Sequence, residues 1–305
     1  MKPLIPIVAA FLALAQVPPG LQPDPPHRCA DCEEWNRPHE PVRIFGNTYY
    51  VGAAGVSAVL ITNGAGSILL DGGLPQTAPL IDANIRKLGF KTGDVRLIVN
   101  SHAHYDHAGG IAALQRASGA AVAASPAGKR AIEQGEPTPD DPQYAFGREV
   151  NAFPAVKNVR VVADGETLRV GDLAITAHHT PGHTPGATTW TWRACDGPTC
   201  YNVVYADSLN AVAAPAFRFT GGGGTPSIVE TFRRSIAKVA ALPCDIVIGV
   251  HPSSTDLAGK LKRRAEGAAN PFVNPNGCRA YANGAGTRLD ARVAEEAKSK
   301  GPASR

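Results

Sequence analysis

The stretch "SHAHYDHAGG", Ser101 to Gly110, places three of the chain's nine histidines and one aspartate within six residues. Its order, H-x-H-x-D-H, crowds four metal-competent side chains onto one turn of chain, which is costly unless an ion compensates for it. His102 and His104 follow the apolar run "VRLIVN", which reads as a strand. Two residues apart in extended chain, their imidazoles point to the same side and can share one ion. Asp106 and His107 come where the chain turns toward the helical pattern of "AGGIAALQ", and the turn aims them at a second ion. Two further histidines stand at strand-like ends, His183 in "HHTPGHTPGATTW" and His251 in "IVIGVHPSSTD". Imidazoles with one carboxylate suit zinc, and two such ions about 3.5–4 Å apart make a hydrolytic pair. His27 and His39, in a proline-rich N-terminal region, and His178 and His179, which precede "TPGH", are read as non-ligands.

Outward from this window the chain has 305 residues, enough for one large domain or two small ones, with a formal charge of +4. That charge is weak and diffuse, so a nucleic-acid partner is not expected. "MKPLIPIVAAFLALAQ" has one early cation, Lys2, then an apolar run from Leu4 to Leu14 with "ALA" at Ala13 to Ala15. This is the layout of a secretory signal peptide, too short to remain as a membrane span, and the following "PPGLQPDPP" cannot continue a helix. We therefore expect a leader over residues 1–15, a single mature domain over 16–305, and a periplasmic location without membrane attachment.

Short apolar runs read as strands: "TYYVGAAGVSAVLIT", "GSILLDGG", "VRLIVNSH", "AVAAS", "VRVVAD", "LAITAHHT", "TTWTWRA", "NVVYADS" and "DIVIGVH". Helical patterns lie in "TAPLIDANIRKLGF", "AGGIAALQRASG", "PSIVETFRRSIAKVAALP" and "DARVAEEAKSK". Strands dominate twice, each group followed by helices, which predicts two sheet-plus-helix halves in one α/β body. The four glycines of "TGGGGTPS" lack a following G-K-[ST] and read as a mobile loop, not a phosphate loop. The long polar stretch from Glu133 to Val156 has the length of a lid or binding loop.

The six cysteines are Cys29, Cys32, Cys195, Cys200, Cys244 and Cys278. In an oxidising compartment they read as disulfides before a four-thiolate zinc site built from "CADC" and "CDGPTC". Proximity favours Cys195–Cys200 at a hairpin tip and leaves Cys244 and Cys278 as a second pair. A bridge inside "CADC" is tight, and sequence alone leaves its pairing open.

"SHAHYDHAGG", "TPGHTPG" and the late "GVHPSS" resemble the metallo-β-lactamase superfamily. With "GNTYYVG", "LPQTAP", "TTWTW", "VYADSL", "LPCD" and "CRAYA", the likeness extends over Cys29 to Ala282 and points to the third subclass of class B β-lactamases. The resemblance implies an αββα four-layer sandwich with two Zn2+ ions at its seam. It implies that His102, His104 and His183 hold the first zinc, and Asp106, His107 and His251 the second. Asp71 in "LLDGG" would support the ligands from behind. Ser208 falls where the subclass has a serine, and Asn210 replaces a second serine near the substrate carboxylate; both are carried as substrate-binding residues. A Cys244–Cys278 bridge also matches the subclass, whereas the usual partner of an N-terminal cysteine is missing, leaving Cys29 and Cys32 to each other.

The implied activity is hydrolysis of the β-lactam amide of penicillins, cephalosporins and carbapenems by a zinc-bound hydroxide, with Asp106 orienting the nucleophile. The substrate is a small-molecule β-lactam and a monomer is expected. A lactonase or glyoxalase II-like thioesterase is the alternative, with Asp207 of "ADSL" in the register of that family's bridging aspartate. A non-catalytic zinc-binding protein is a further alternative. Serine β-lactamases use S-x-x-K, S-D-N and K-T-G in that order. Here Ser235-x-x-Lys238 and Lys91-Thr92-Gly93 occur reversed and without S-D-N, so both are read as chance.

Overall fold

The computed structural model describes residues 21–298, so the expected leader lies outside the described residues. Period-2 alternation of apolar side chains builds the sheets. In β3 (Val59–Asn63), Val59 and Ile61 face a central core while Leu60 faces outward. β4 (Gly66–Leu70) repeats this with Ile68 and Leu70 against Leu69, and β5 (Val95–Val99) with Leu97 and Val99 against Ile98. These strands join β1 (Val42–Phe45), β2 (Thr48–Tyr50), β6 (Ala121–Ala124) and β7 (Arg160–Val161) in a seven-stranded sheet ordered as in the chain. The pairs from β1 to β4 are antiparallel and those from β4 to β7 parallel. Parallel neighbours need crossovers, here α2 (Ala78–Lys87), α4 (Ile111–Ser118) and α5 (Pro126–Gln134). The short helices α1 (Cys32–Trp35), α3 (Tyr105–Ala108) and α6 (Arg148–Asn151) sit in connections.

A second sheet has the order β12-β11-β10-β9-β8. Its strands are β8 (Thr167–Val170), β9 (Leu173–His179), β10 (Thr188–Asp196), β11 (Thr199–Ala206) and β12 (Ile246–Gly249). Val203 and Tyr205 of β11 enter the central core, whereas Val204 and Ala206 face α7 (Val229–Ala241) and α9 (Gly277–Lys298). α8 (Leu257–Ala265) follows β12. Three apolar cores thus separate four layers, and the fold is the αββα sandwich expected from the resemblance.

Several elements differ from the sequence reading. The run "TYYVGAAGVSAVLIT" is two strands, because residues 51–58 leave the ladder and Ser57 instead donates from Oγ to the Gly249 carbonyl across the sandwich (2.7 Å). β8, α5 and α8 carry too few apolar residues to stand out from their surroundings, and β1, although three of its residues are apolar, is only four residues long. α9 starts thirteen residues before "DARVAEEAKSK"; its glycine-rich opening has poor helix propensity, and packing of Tyr281, Ala285 and Leu289 on α7 overrides it. All three cysteine pairs are bonded: Cys29–Cys32, Cys195–Cys200 and Cys244–Cys278. No helix among the described residues is long and apolar enough to cross a membrane.

Candidate metal centre

The carboxyl ends of β4, β5, β11 and β12 meet at one rim of the sandwich, and each delivers a polar residue there. Asp71 follows β4 with φ 60°, a left-handed conformation that aspartate tolerates better than most residues. Its carboxylate accepts from Asn100 Nδ2 (3.0 Å), Ser101 N (2.7 Å), Ser101 Oγ (2.6 Å) and Tyr205 Oη (2.9 Å). Asp71 therefore touches no other member of the histidine cluster by hydrogen bond; it fixes the chain that delivers His102. At His104 the chain is extended (φ −100°, ψ 159°), and α3 begins immediately after it. That turn does not carry Asp106 and His107 clear of the first pair as the spacing predicts: the His107 ring lies 4.3 Å from that of His102, nearer than the His104 ring at 4.9 Å. The close approach behind the turn requires glycine, since a Cβ on Gly110 would lie 2.2 Å from the Gly72 carbonyl oxygen.

Tertiary structure gathers the six residues in two groups. His102, His104 and His183 each offer a ligand atom within 4.8 Å of the others, and His102 stands equally close to Asp106 and His107. Across 144 residues of chain, His251 Nε2 reaches to 3.3 Å from His107 Nε2. It lies 3.4 Å from Asp106 Oδ2, which is itself 3.1 Å from His107 Nε2. Trp35 packs on the His251 ring with centroids 5.2 Å apart.

Each imidazole except one is held by its outward nitrogen. His102 Nδ1 faces Asp207 Oδ1 at 2.7 Å, His183 Nδ1 donates to the Asn210 carbonyl (2.9 Å), and His251 Nδ1 donates to the Gly55 carbonyl (2.9 Å). His104 Nε2 lies 3.3 Å from both Asp141 carboxylate oxygens. These partners set the tautomer and leave the opposite nitrogen to the cluster, where that of His251 meets His107 and Asp106, the arrangement of metal-bound histidine. His107 is the exception: its Nδ1 is buried without a hydrogen bond, with Asp71 Oδ2 at 3.8 Å.

Asp141 was not singled out in the sequence. It comes from the long polar stretch Glu133 to Val156, and no local pattern marks it as a partner of His104. Asp207, in contrast, meets His102 Nδ1 through Oδ1, and its Oδ2 is buried without a hydrogen bond. Ser208 is buried beside it. Asn210 acts on His183 through its main chain, and its Oδ1 is buried without a partner.

Electrostatics fit a cation. Burial, reinforced by the neighbouring imidazoles, holds His102 well below its usual pKa, and burial with His104 lowers His183 to about 3. Both rings are neutral at physiological pH, the state a metal requires. Burial opposes ionisation of Asp106, yet His107 and His251 outweigh it and hold the carboxyl well below its ordinary range. Burial, and then the adjacent Asp71, push Asp207 well above its own. Burial opposes protonation of His104 and His251 as well, yet Asp141 raises the first and Asp106 the second. The buried carboxylates of the cluster thus draw positive charge to it, which a metal ion would supply. The donor set of the cluster fits a metal cofactor.

The other histidines stay outside both groups. His27 stacks on Tyr105 (4.0 Å between centroids), His39 Nδ1 lies 2.7 Å from the Glu40 carbonyl oxygen, His178 meets Thr191 Oγ1 and His179 the Val162 carbonyl. Ser235 donates to the Pro181 carbonyl (2.7 Å), so the S-x-x-K look-alike braces the loop that carries His183.

A family model described as the metallo-beta-lactamase superfamily matches residues 51–195. The solved Rm3 metallo-beta-lactamase is 49% identical, with a TM-score of 0.85 over 88% of this chain and 99% of that one. MEM-A1, a subclass B3 metallo-beta-lactamase from a soil metagenome library, is 50% identical, with a TM-score of 0.84 over 87% of this chain and 100% of that one. Curated relatives match more distantly, and the chain spans 36% of one and 74% of another. A hydroxyacylglutathione hydrolase of Anaeromyxobacter dehalogenans is 27% identical, over 69% of this chain and 67% of that protein. Identity near one half, sustained along the whole length of proteins that share its sandwich, makes this chain a member of the metallo-β-lactamase superfamily.

Proposed function

We propose that the chain is a zinc-dependent β-lactamase that hydrolyses the β-lactam amide of penicillins, cephalosporins and carbapenems, and so confers antibiotic resistance. Identity of 49–50% over 99–100% of solved metallo-β-lactamases carries this reading. His102, His104 and His183 would hold one zinc, and Asp106, His107 and His251 a second. A tetrahedron whose corners lie about 2.0–2.1 Å from its centre has edges of about 3.3–3.4 Å. The spacings of 3.1, 3.3 and 3.4 Å among Asp106, His107 and His251 support zinc in the second position. Zinc in such a pair supplies Lewis acidity toward the carbonyl and makes water nucleophilic near neutral pH.

The protein's own groups do the rest. Asp106, kept ionised by His107 and His251, is an acceptor at working pH and orients the attacking water. Asp207, Asp141 and the Asn210 and Gly55 carbonyls lock the imidazoles, so little reorganisation accompanies reaction. Ser208 and Asn210 are assigned to the carboxylate of the substrate. We place the protein in the periplasm, on the strength of its N-terminal sequence.

A second reading, thioester hydrolysis, draws on the hydroxyacylglutathione hydrolase likeness. Against it, Asp207 Oδ1 is taken up by His102 Nδ1, although its buried Oδ2 has no hydrogen bond. Purified zinc-loaded protein should hydrolyse a carbapenem with full activity in clavulanate and none in EDTA. Inhibition by clavulanate but not EDTA, or turnover confined to a hydroxyacylglutathione thioester or an acyl-homoserine lactone, would overturn the proposal.

A further inference from the structure

Away from the metal centre, α8, the 3-10 turn Pro252–Thr255 and the opening of α9 enclose a cleft of about 350 Å³. Its wall carries three cations, Lys260, Arg263 and Arg288, and a single carboxylate, Asp256. Asp256 is already engaged. Its Oδ1 accepts from Gly259 N (3.1 Å) at the start of α8, and its Oδ2 accepts from Arg263 (3.2 Å).

Lys260 is the anomaly. It is only 7% exposed, makes no ion pair among the described residues, and donates a single hydrogen bond, to the Val247 carbonyl (3.1 Å). An ammonium has three donors, and a buried one without a counter-charge is costly. Burial, with Arg263 adding to it against Asp256, pulls its pKa down to about 8. Arg288 makes no hydrogen bond or ion pair among the described residues. Thr255 Oγ1 accepts from Gly249 N and keeps its own proton to donate. The cleft thus presents spare donors and net positive charge, with its one carboxylate already engaged.

We propose that this cleft binds a small oxyanion, a sulfate, phosphate or carboxylate group, between Lys260 and Arg288, with Thr255 as a neutral donor. Sulfate would complete the buried ammonium's hydrogen bonds and supply the counter-charge it lacks. The site shares no residue with the six of the metal centre, so it does not depend on the reaction proposed above.

Isothermal titration of the zinc-loaded protein with sodium sulfate tests it, with sodium chloride at matched ionic strength as the control and phosphate and acetate as further arms. One saturable site is expected, weakened at least about tenfold in both Lys260→Met and Arg288→Gln. Arg288 is exposed, so its variant keeps the test valid if Lys260→Met folds poorly. The arm that binds with the lowest dissociation constant identifies the oxyanion. Sulfate, phosphate and acetate all behaving like chloride overturns the proposal, and so does wild-type affinity in the two variants, which would place the anion at the metals.

Discussion

Asp207→Asn is the most informative perturbation of the metal centre. Asp207 is fully buried, and its Oδ1 lies 2.7 Å from His102 Nδ1. The carboxyl group fixes the ring so that its other nitrogen faces the cluster, and once a bound cation favours its ionised form its charge would raise the basicity of that nitrogen. Asparagine keeps an acceptor of the same shape but removes the charge. Loss of such a partner typically lowers metal affinity 10–100-fold, which corresponds to about 1.4–2.7 kcal/mol. Under the proposed assignment the weakening should fall on the ion that His102, His104 and His183 would hold, and two ions should still bind when zinc is in excess. Competition against a chromophoric chelator measures the affinities, and elemental analysis at saturating zinc counts the ions. A stoichiometry reduced by one at saturation would refute the reasoning, since it would make Asp207 a ligand and favour the thioesterase reading. Unchanged affinity would refute it differently, by showing that the 2.7 Å contact does not orient His102.

Other expectations follow from groups outside the first contact sphere of the metals. Lys260→Met should stabilise the fold at pH 7 by about 1–3 kcal/mol in sulfate-free buffer, because a pKa lowered from 10.5 to about 8 means that folding disfavours the charged amine. The penalty is full below pH 8 and is relieved as pH rises to about 10.5, so the advantage of the variant should fade over that window in paired denaturant titrations; a constant difference would refute it. Glu296 accepts from Phe219 N, Thr220 N, Thr220 Oγ1 and Arg292 Nε, so Glu296→Ala should cost about 1–3 kcal/mol and speed hydrogen exchange at the amides of Phe219 and Thr220. Unchanged exchange there would show that the carboxylate does not hold the loop. Replacing Cys244 and Cys278, 34 residues apart, by serine should cost about 3–4 kcal/mol in chemical denaturation, and a loss under about 1 kcal/mol would contradict the chain-entropy account.

Much of this protein is local. The H-x-H-x-D-H spacing alone brings His102, His104, Asp106 and His107 to one turn of chain, because strand periodicity and a tight turn depend on adjacent residues only. Alternation in "LIV" and "NVVYA" likewise places one side of β5 and β11 in the central core without reference to anything distant. The weak elements escaped for the converse reason. α9 forms over "GCRAYANGAG" only because α7 and a disulfide to Cys244 hold it. What tertiary structure decided is how the histidines are used. Asp141 meets His104 across 37 residues, Asp207 meets His102 across 105, and His251 meets His107 across 144. Those pairings depend on which strand ends share a rim, a property of the sheet order and of the packing between two sheets. The charge-rich cleft around Lys260 is of the same kind: a lysine in "LAGKLKRR" reads as a solvated helix face until α9 and the 3-10 turn close over it. Spacing in sequence can nominate a ligand, but only packing can bury its partner and choose which nitrogen is left facing the metal.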